Sequence, residues 1–365
     1  MSRKIIIAGG GTGGHIFPAI AIANALKKID PAIEIFFVGA KGKMEMEKVP
    51  QAGYNITGID IAGFNRSSLI KNFRLPFKLA KSFLQVRRIV NGFQPDAVIG
   101  VGGYSSFPVL RYAQARRIPT FIHESNSFAG KSNILLGKKA TKVFVASEGM
   151  EKFFQKEKLK ITGNPVRSSI VNNSVTRAEG IAFFQLDASK KTVLATGGSL
   201  GAKGINEAIA EHISDFGKND VQLIWQTGKP FVGKAKDLST GMKNVWTNDF
   251  ITQMEFAYAA ADVVISRAGA MAIAELSVVG KPVIFIPFPF AAEDHQTANA
   301  KTLQARNAGL MIRDSEAKDQ LVDAAIKLVK DDEKQKLLKT EIRKLAITDA
   351  DERIAKDVLH HITSN

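Results

Sequence analysis

The sequence predicts an α/β fold of two similar domains, each a parallel sheet with helical crossovers. Two glycine-rich turns, GGGTGGH at 9–15 and TGGSLGA at 196–202, each follow an apolar, β-branched run and precede a helical pattern. The run PDAVIGVGG at 95–103 also parallels ADVVISRAG at 261–269, which indicates an internal repeat. Together these features favour two Rossmann-like halves that face each other across a cleft.

Strands and helices are predicted to alternate along both halves. Short β-branched and apolar runs predict strands at 4–8, 33–38, 97–101, 120–123 and 142–146, and then at 192–195, 222–226, 244–247, 262–266 and 282–287. Amphipathic patterns predict helices at 15–28, from about 107, at 205–213 and at about 351–362.

The length of 365 residues also favours two domains, because one hydrophobic core rarely grows so large. Gly163-Asn164-Pro165 is typical of a boundary, so we predict domains at 1–163 and 164–350. A C-terminal helix at about 351–365 is expected to pack back on the first domain.

Composition excludes several classes of site. The chain has no cysteine, which rules out disulfides, thiolate metal sites and a cysteine nucleophile. The apolar run after Lys4 is too short for a signal peptide, and the apolar stretch near 283–292 is interrupted by Pro287 and Pro289. We therefore expect no membrane-spanning segment.

The charge distribution predicts a negatively charged partner for the first half. The net charge is +15, and residues 61–147 hold fourteen lysines and arginines against two acids. Apolar and basic residues interleave at 64–90, which favours an anionic membrane surface over nucleic acid, since no nucleic-acid motif accompanies the charge. The alternative for Phe83, Leu84 and Val90 is the inner face of an amphipathic helix. The predicted membrane contacts are Leu69, Ile70, Lys71, Phe73, Arg74, Phe77, Lys78 and Lys81.

The glycine-rich turns predict phosphate binding, because backbone amides at a helix N-terminus favour anions. Gly9, Gly11 and Gly14 also fit a dinucleotide fingerprint, but the second strand ends in Gly39-Ala40-Lys41, without the acid that would hold a ribose. A third interpretation is that the glycines only allow a helix to pack closely on a strand. The presence of two such loops argues against it.

A third turn, SRAGA at 266–270, opens a helix that carries Glu275 about two turns in. A carboxylate there suits a ribose diol, although a surface glutamate is the alternative. The polar cluster EDHQT at 293–297 follows the last predicted strand, where amide and imidazole groups suit sugar hydroxyls.

Seven motifs, in order along both halves, resemble the MurG family of bacterial N-acetylglucosaminyltransferases. They are GGGTGGHIFPA at 9–19, GVGGYSS at 100–106, HESNSFAG at 123–130, GNPVR at 163–167, GGSLGA at 197–202, SRAGAMAIAE at 266–275 and DHQTANA at 294–300. The resemblance implies a GT-B fold and an inverting transfer of N-acetylglucosamine from UDP-GlcNAc to the muramyl 4-hydroxyl of lipid I, which yields lipid II and UDP. It also implies a peripheral enzyme of peptidoglycan synthesis at the cytoplasmic face of the inner membrane, with cell-wall and division proteins as candidate partners.

The resemblance also assigns site residues, motif by motif. Donor contacts fall on Thr12, Gly13, Gly14, Asn126, Arg167, Ser199, Ile251, Glu275, His295 and Gln296. Acceptor contacts fall on Gly11, Gly102, Gly103 and Tyr104. Within the donor set, the resemblance implies that Ile251 meets uracil through its backbone amide and carbonyl, and that Glu275 holds the ribose.

Inverting displacement needs a base and a stabilised leaving group. His15 is the candidate base, with His123 and Glu124 as alternatives, and Glu275 completes the catalytic set. Ser199, the loop amides and Arg167 or Arg267 are expected to stabilise UDP. The Asp-x-Asp at 349–351 lies far from the glycine loops, so we expect no metal and no cofactor besides the donor substrate. Alternatives are another GT-B lipid glycosyltransferase, a UDP-GlcNAc 2-epimerase or a non-catalytic nucleotide-sugar-binding protein.

Overall fold

In the computed structural model, which describes residues 2–61 and 75–363, the chain divides into two compact units. The first comprises Met1–Arg167 and Asp349–Asn365, and the second Ser168–Thr348. The division falls a few residues after the predicted boundary at 163, because two contacts hold the next residues on the first unit. Asn164 Nδ2 donates to the Ser125 carbonyl at 3.2 Å, and the Arg167 guanidinium lies 4.3 Å from the centre of the Phe17 ring.

Within the described residues, the first unit contains a parallel sheet of order β3-β2-β1-β4-β5-β6-β7. Its strands are β1 (Lys4–Ala8), β2 (Glu34–Ala40), β3 (Asn55–Ile59), β4 (Ala97–Gly100), β5 (Thr120–Glu124), β6 (Lys142–Val145) and β7 (Leu159–Ile161). Its helices are α1 (Gly13–Ile29), α2 (Glu45–Gln51), α3 (Leu75–Phe93), α4 (Ser106–Ala115), α5 (Lys131–Gly137) and, from the chain end, α16 (Ala350–Thr363).

Helices bury both faces of this sheet, which explains why its strands are almost wholly apolar. Ile5 and Ile7 pack on one side together with Ile354 and Val358 of α16, whereas Ile6 points to the other side. The C-terminal helix is thus part of the first unit's core.

The second unit contains a parallel sheet of order β10-β9-β8-β11-β12-β13 within the described residues. Its strands are β8 (Lys191–Thr196), β9 (Val221–Gln226), β10 (Val245–Asn248), β11 (Val263–Ser266), β12 (Val283–Phe285) and β13 (Leu310–Met311). Its helices are α6 (Ser168–Val171), α7 (Arg177–Phe183), α8 (Lys203–Glu211), α9 (Ile213–Lys218), α10 (Val232–Ser239), α11 (Met254–Ala260), α12 (Ala270–Val279), α13 (His295–Ala305), α14 (Ala317–Lys330) and α15 (Asp332–Arg343).

The predicted fold class, two parallel-sheet α/β domains, is confirmed, and every predicted strand is present. Strands β3, β7 and β13 were not predicted, because β3 and β7 are partly exposed and β13 has only two residues. None of the described helices combines the length and apolar character needed to cross a bilayer.

Each sheet has one point where the strand order reverses, between β1 and β4 in the first unit and between β8 and β11 in the second. Open parallel sheets bind ligands beyond the carboxyl ends of the strands at this switch point. All four strands are followed there by glycine-containing turns, so the fold places the predicted ligand loops at the two switch points.

Candidate functional site

The helices that start at the switch points lack side-chain caps. Helices α1, α4, α8 and α12 follow β1, β4, β8 and β11, and in each of them the N-cap side chain makes no capping hydrogen bond and the first turn carries no acid. By contrast, α7 is closed by a capping box of Thr176 and Glu179. A helix N-terminus without a side-chain cap or an acid in its first turn favours an anion through the helix dipole, so each switch point is suited to phosphate.

The first glycine loop is held by the residues around it. The Gly9 amide donates to the Val38 carbonyl at 3.2 Å, and the Gly10 amide donates to the Gly102 carbonyl at 3.3 Å. The Gly11 amide donates to Glu45 Oε2 at 2.8 Å. The predicted acceptor contact at Gly11 therefore cannot use its amide without breaking that bond. Its α-carbon side is open, because a β-carbon there would meet nothing within 4 Å.

At two of the other predicted acceptor residues, Gly102 and Gly103, the backbone and the packing require glycine. Gly102 and Gly103 have positive φ angles of 94° and 85°. A β-carbon on Gly102 would lie 2.8 Å from the His15 ring, and one on Gly103 would collide with the Gly10 carbonyl. The following residue, Tyr104, is exposed. The loop after β4 thus packs directly on the loop after β1.

His15 lies in the first turn of α1, with Nδ1 3.1 Å from the Gly10 carbonyl oxygen. A carbonyl only accepts, so this bond requires the proton on Nδ1 and leaves a lone pair on Nε2. Burial lowers the pKa of His15 below its ordinary value of 6.5, although the Gly10 carbonyl, Glu124 and Glu45 oppose that shift. The imidazole is consequently neutral at pH 7 and able to accept a proton.

The two alternative bases are placed less favourably. Burial lowers the pKa of His123 to about 4, and its side chain is 1% exposed. Glu124 is also buried, and it accepts bonds from the Asn126 amide and side chain and from Gly130 and Asn133. Glu124 therefore orders the loop that carries Asn126, one of the predicted donor contacts.

In the second unit, Gln226 holds the loop that carries Ser199. Its Nε2 donates to Thr196 Oγ1 at 3.1 Å and to the Gly198 carbonyl at 3.0 Å. Its Oε1 accepts from the Ile251 amide at 3.0 Å. The Ile251 amide therefore meets a uracil only if that bond breaks, and its contact with uracil stays a prediction.

Arg267, which we expected at the leaving group, is bonded to groups of the protein itself. Its guanidinium is largely buried, pairs with Asp314 and donates to the Ile286 and Pro287 carbonyls at 3.0 and 3.1 Å. These bonds connect the turn after β11 to the residues that follow β12. Arg267 therefore holds that turn in position.

The remaining donor residues lie beside that turn. Gln296 Oε1, at the start of α13, accepts from the Phe288 amide at 3.0 Å, and Asn299 Nδ2 donates to the Ala268 carbonyl at 3.1 Å. Glu275 is in the second turn of α12 and accepts from the Tyr258 hydroxyl at 3.3 Å. His295 is the first residue of α13 and adjoins Gln296, whose side-chain amide lies near Gly269 at the start of α12.

Helix α3 presents a mixed apolar and basic face. Phe77 and Leu84 are 71% and 63% exposed, whereas Val86 and Val90 are buried on the opposite side. Helical spacing places Lys81 beside Phe77 and Leu84. Lys81 also pairs with Asp60 at 3.0 Å. Lys78 is exposed as well, but Leu69, Ile70, Lys71, Phe73 and Arg74 lie outside the described residues.

Two residues of the site were missed by the sequence reading. Glu45 in α2 and Gln226 in β9 are buried and bind the glycine loops through hydrogen bonds. Neither belongs to a glycine motif, and only the pairing of distant strands brings them to the loops. In the described part of the chain, no three His, Asp or Glu side chains are grouped as metal ligands.

Comparisons with known proteins identify the family of the chain. The glycosyltransferase family 28 N-terminal domain matches residues 5–145, and the family 28 C-terminal domain matches residues 192–356. The UDP-N-acetylglucosamine--N-acetylmuramyl-(pentapeptide) pyrophosphoryl-undecaprenol N-acetylglucosamine transferase of Phocaeicola vulgatus is 51% identical over 97% of this chain and 95% of its own length. The protein of the same name from Parabacteroides distasonis is 50% identical over 98% and 97%. The crystal structure of Acinetobacter baumannii MurG superposes with a TM-score of 0.72 at 26% identity, covering 98% of this chain and 99% of that one.

Proposed function

The chain belongs to glycosyltransferase family 28, and on that basis we propose that it transfers N-acetylglucosamine from UDP-GlcNAc to lipid I, undecaprenyl-pyrophosphoryl-MurNAc-pentapeptide. The products are lipid II and UDP, which makes the enzyme part of peptidoglycan synthesis. Relatives named for this reaction are about half identical over nearly the whole chain. The structural observation that carries the proposal is the pair of switch points whose helices have neither side-chain caps nor acids in the first turn, since both substrates carry a pyrophosphate.

The second unit is the proposed donor domain. The N-termini of α8 and α12 supply amides for the UDP phosphates, with Ser199 as a hydroxyl donor. Glu275 accepts from the ribose hydroxyls, and His295 and Gln296 lie beside the sugar. Thr12, Gly13, Gly14, Asn126 and Arg167 are the proposed donor contacts of the first unit. Arg267 positions the turn after β11 and is not assigned a phosphate.

The first unit is the proposed acceptor domain, with Gly102, Gly103 and Tyr104 near the acceptor pyrophosphate and Gly11 contacted on its α-carbon side. The acceptor 4-hydroxyl oxygen attacks C1 of the donor sugar, and the bond from C1 to the UDP oxygen breaks. The electron pair leaves with UDP, the hydroxyl proton passes to Nε2 of His15, and C1 inverts. Amide dipoles at the α8 and α12 N-termini stabilise the departing charge.

A radiolabelled transfer assay with a lipid I analogue tests this proposal. We expect transfer of labelled GlcNAc to the lipid both with and without a chelator, since the proposed site uses amides rather than a resident metal. His15→Ala should lower turnover by roughly 10²–10⁴-fold, whereas His212→Ala, a histidine outside both switch points, should not. Bound UDP-GlcNAc without transfer to lipid I would contradict the proposal and favour an epimerase or a different acceptor.

We propose that α3 attaches the enzyme to the cytoplasmic face of the inner membrane as a peripheral protein. Phe77 and Leu84 are exposed beside Lys78 and Lys81. Each cation near an anionic leaflet contributes about 1 kcal/mol, and buried apolar side chains add to this. Cell-wall and division proteins are the enzyme's candidate protein partners.

Vesicle sedimentation tests this attachment. The wild type should bind vesicles that contain phosphatidylglycerol and should bind phosphatidylcholine vesicles weakly. Phe77→Ser/Leu84→Ser should lose most of the binding. The matched control, Ile161→Ser/Leu337→Ser, removes two other exposed apolar side chains and should keep it. Equal losses in both double variants would show that α3 is not the contact.

A further inference from the structure

One peptide group joins a buried carboxylate to the candidate base. The Gly11 amide donates to Glu45 Oε2 at 2.8 Å, and the carbonyl of Gly10 accepts from His15 Nδ1 at 3.1 Å. That N–H and that C=O belong to the same peptide unit, and in a trans peptide they point in opposite directions. Two hydrogen bonds therefore link the carboxylate to the imidazole through this peptide.

Neighbouring side chains and backbone pack closely on the Gly10 side of this peptide. Glu45 is 1% exposed, and its second oxygen accepts from the Ala40 amide at 2.9 Å. A β-carbon on Gly10 would collide with the Glu45 carboxyl group, and one on Gly103 would collide with the Gly10 carbonyl. The close packing of Glu45 and of the loop after β4 on this peptide thus depends on glycine at positions 10 and 103.

This arrangement has a chemical consequence for His15. Hydrogen bonds in a chain polarise one another, so a carboxylate on the N–H strengthens the carbonyl of the same peptide as an acceptor. A stronger acceptor holds the proton on Nδ1 and keeps the lone pair on Nε2. We propose that Glu45 is a positioning residue that fixes the tautomer and raises the basicity of His15 through the Gly10–Gly11 peptide.

The inference rests on the proposed transferase function, in which Nε2 of His15 takes the proton of the acceptor hydroxyl. No proton crosses the peptide. When Nε2 is protonated, the positive ring is stabilised by the polarised carbonyl and by the carboxylate beyond it. The other titratable groups that act on His15 are Glu124, which raises its pKa as Glu45 does, and His123, which lies close enough to interact with it.

Nitrogen-15 NMR of the histidine rings tests the inference without any substrate. The chain has six histidines, and the signals of His15 are those lost in His15→Ala. In the wild type, neutral His15 should carry its proton on Nδ1. In Glu45→Gln, which removes the charge, the pKa of His15 should fall and the Nε2–H form should become populated. Glu47→Gln, on the exposed side of the same helix, should change neither property.

Two results would overturn the inference. One is a neutral wild-type His15 that carries its proton on Nε2. The other is a Glu45→Gln protein whose His15 keeps the wild-type pKa and tautomer. If Glu45→Gln does not fold, Glu45→Asp replaces it, because the shortened side chain keeps its charge but loses its reach. A smaller change in the same direction supports the inference, and an unchanged His15 overturns it.

Turnover gives an independent readout. Glu45→Gln should lower kcat on the order of ten- to a hundredfold, within the range that a positioned base contributes. In a His15→Ala background the same substitution should lower kcat less than about twofold, since its effect is then already lost. Equal losses in both backgrounds would indicate a purely structural role. If the wild type itself transfers nothing, the proposed function fails, while the NMR measurement still decides the role of Glu45.

Discussion

Gln226 and Gln222 lie on the same strand, β9, and make two closely similar sets of hydrogen bonds. Gln226, at the carboxyl end of the strand, bonds to Thr196 Oγ1, the Gly198 carbonyl and the Ile251 amide. Gln222, near the opposite end, bonds to Thr192 Oγ1 and to the amide and carbonyl of Asp187. Both side chains are buried. We expect Gln226→Leu, but not Gln222→Leu, to weaken UDP binding.

The size of the effect follows from these bonds. Each substitution removes three hydrogen bonds worth about 1 kcal/mol each, so both variants should lose about 3 kcal/mol of unfolding free energy. Only the loss of Gln226 releases the loop at 196–202, which two of its bonds hold in place. If UDP binding must then order that loop, its affinity falls by about 2 kcal/mol, or roughly thirtyfold in Kd.

Calorimetric titration with UDP and urea unfolding measure the two quantities separately. The expected pattern is similar destabilisation in both variants, with a large rise in Kd for Gln226→Leu alone. The reasoning is refuted if the two variants lose stability equally and bind UDP equally well, because the loop would then be ordered without Gln226.

Gly103→Ala and Gly53→Ala form a second matched pair, since both glycines have a positive φ, 85° and 84°. A β-carbon would collide with the Gly10 carbonyl oxygen at Gly103 but would meet nothing within 4 Å at Gly53. Gly53→Ala should lower the free energy of unfolding by about 1 kcal/mol, whereas Gly103→Ala should lower it clearly more and should also reduce turnover. Equal losses of stability in thermal unfolding would contradict the predicted collision with Gly10. Burial lowers the pKa of His123 from 6.5 to about 4, so the unfolded chain binds more protons between these pH values and the unfolding free energy should fall as the pH drops through them. The loss should reach up to about 3 kcal/mol, and urea unfolding of His123→Phe at pH 7 and 4.5 should show a flatter dependence; an unchanged slope would be evidence against a neutral buried His123.

Most of the fold was predictable because its signals are local. Runs such as Ile5-Ile6-Ile7 are apolar on both faces, which is typical of a strand covered by helices on both sides. The three missed strands lack such runs. Strand β3, for example, alternates exposed and buried residues and contains Gly58, so its pairing with β2 depends on the neighbouring strand rather than on its own sequence.

The predicted site residues stay untested, but the structure shows that some of their polar groups already have partners. Sequence motifs placed Gly11, Ile251 and Arg267 near a ligand, but hydrogen bonding in the folded units occupies the first two amides and the Arg267 guanidinium. The roles of the site residues as donor, acceptor and base contacts stay predictions until a bound substrate or an activity measurement tests them.

By itself the sequence determined the fold class, the repeated glycine turns, the basic first half and the resemblance to one family. These properties follow from composition, periodicity and short motifs, which depend on residues close together in the sequence and not on contacts between distant residues. Only the tertiary structure decided which backbone groups are already bonded and which remain for a ligand. Glu45 and Gln226 look like ordinary helix and strand residues along the chain, and they reach the glycine loops only because parallel strands end at the same edge of a sheet.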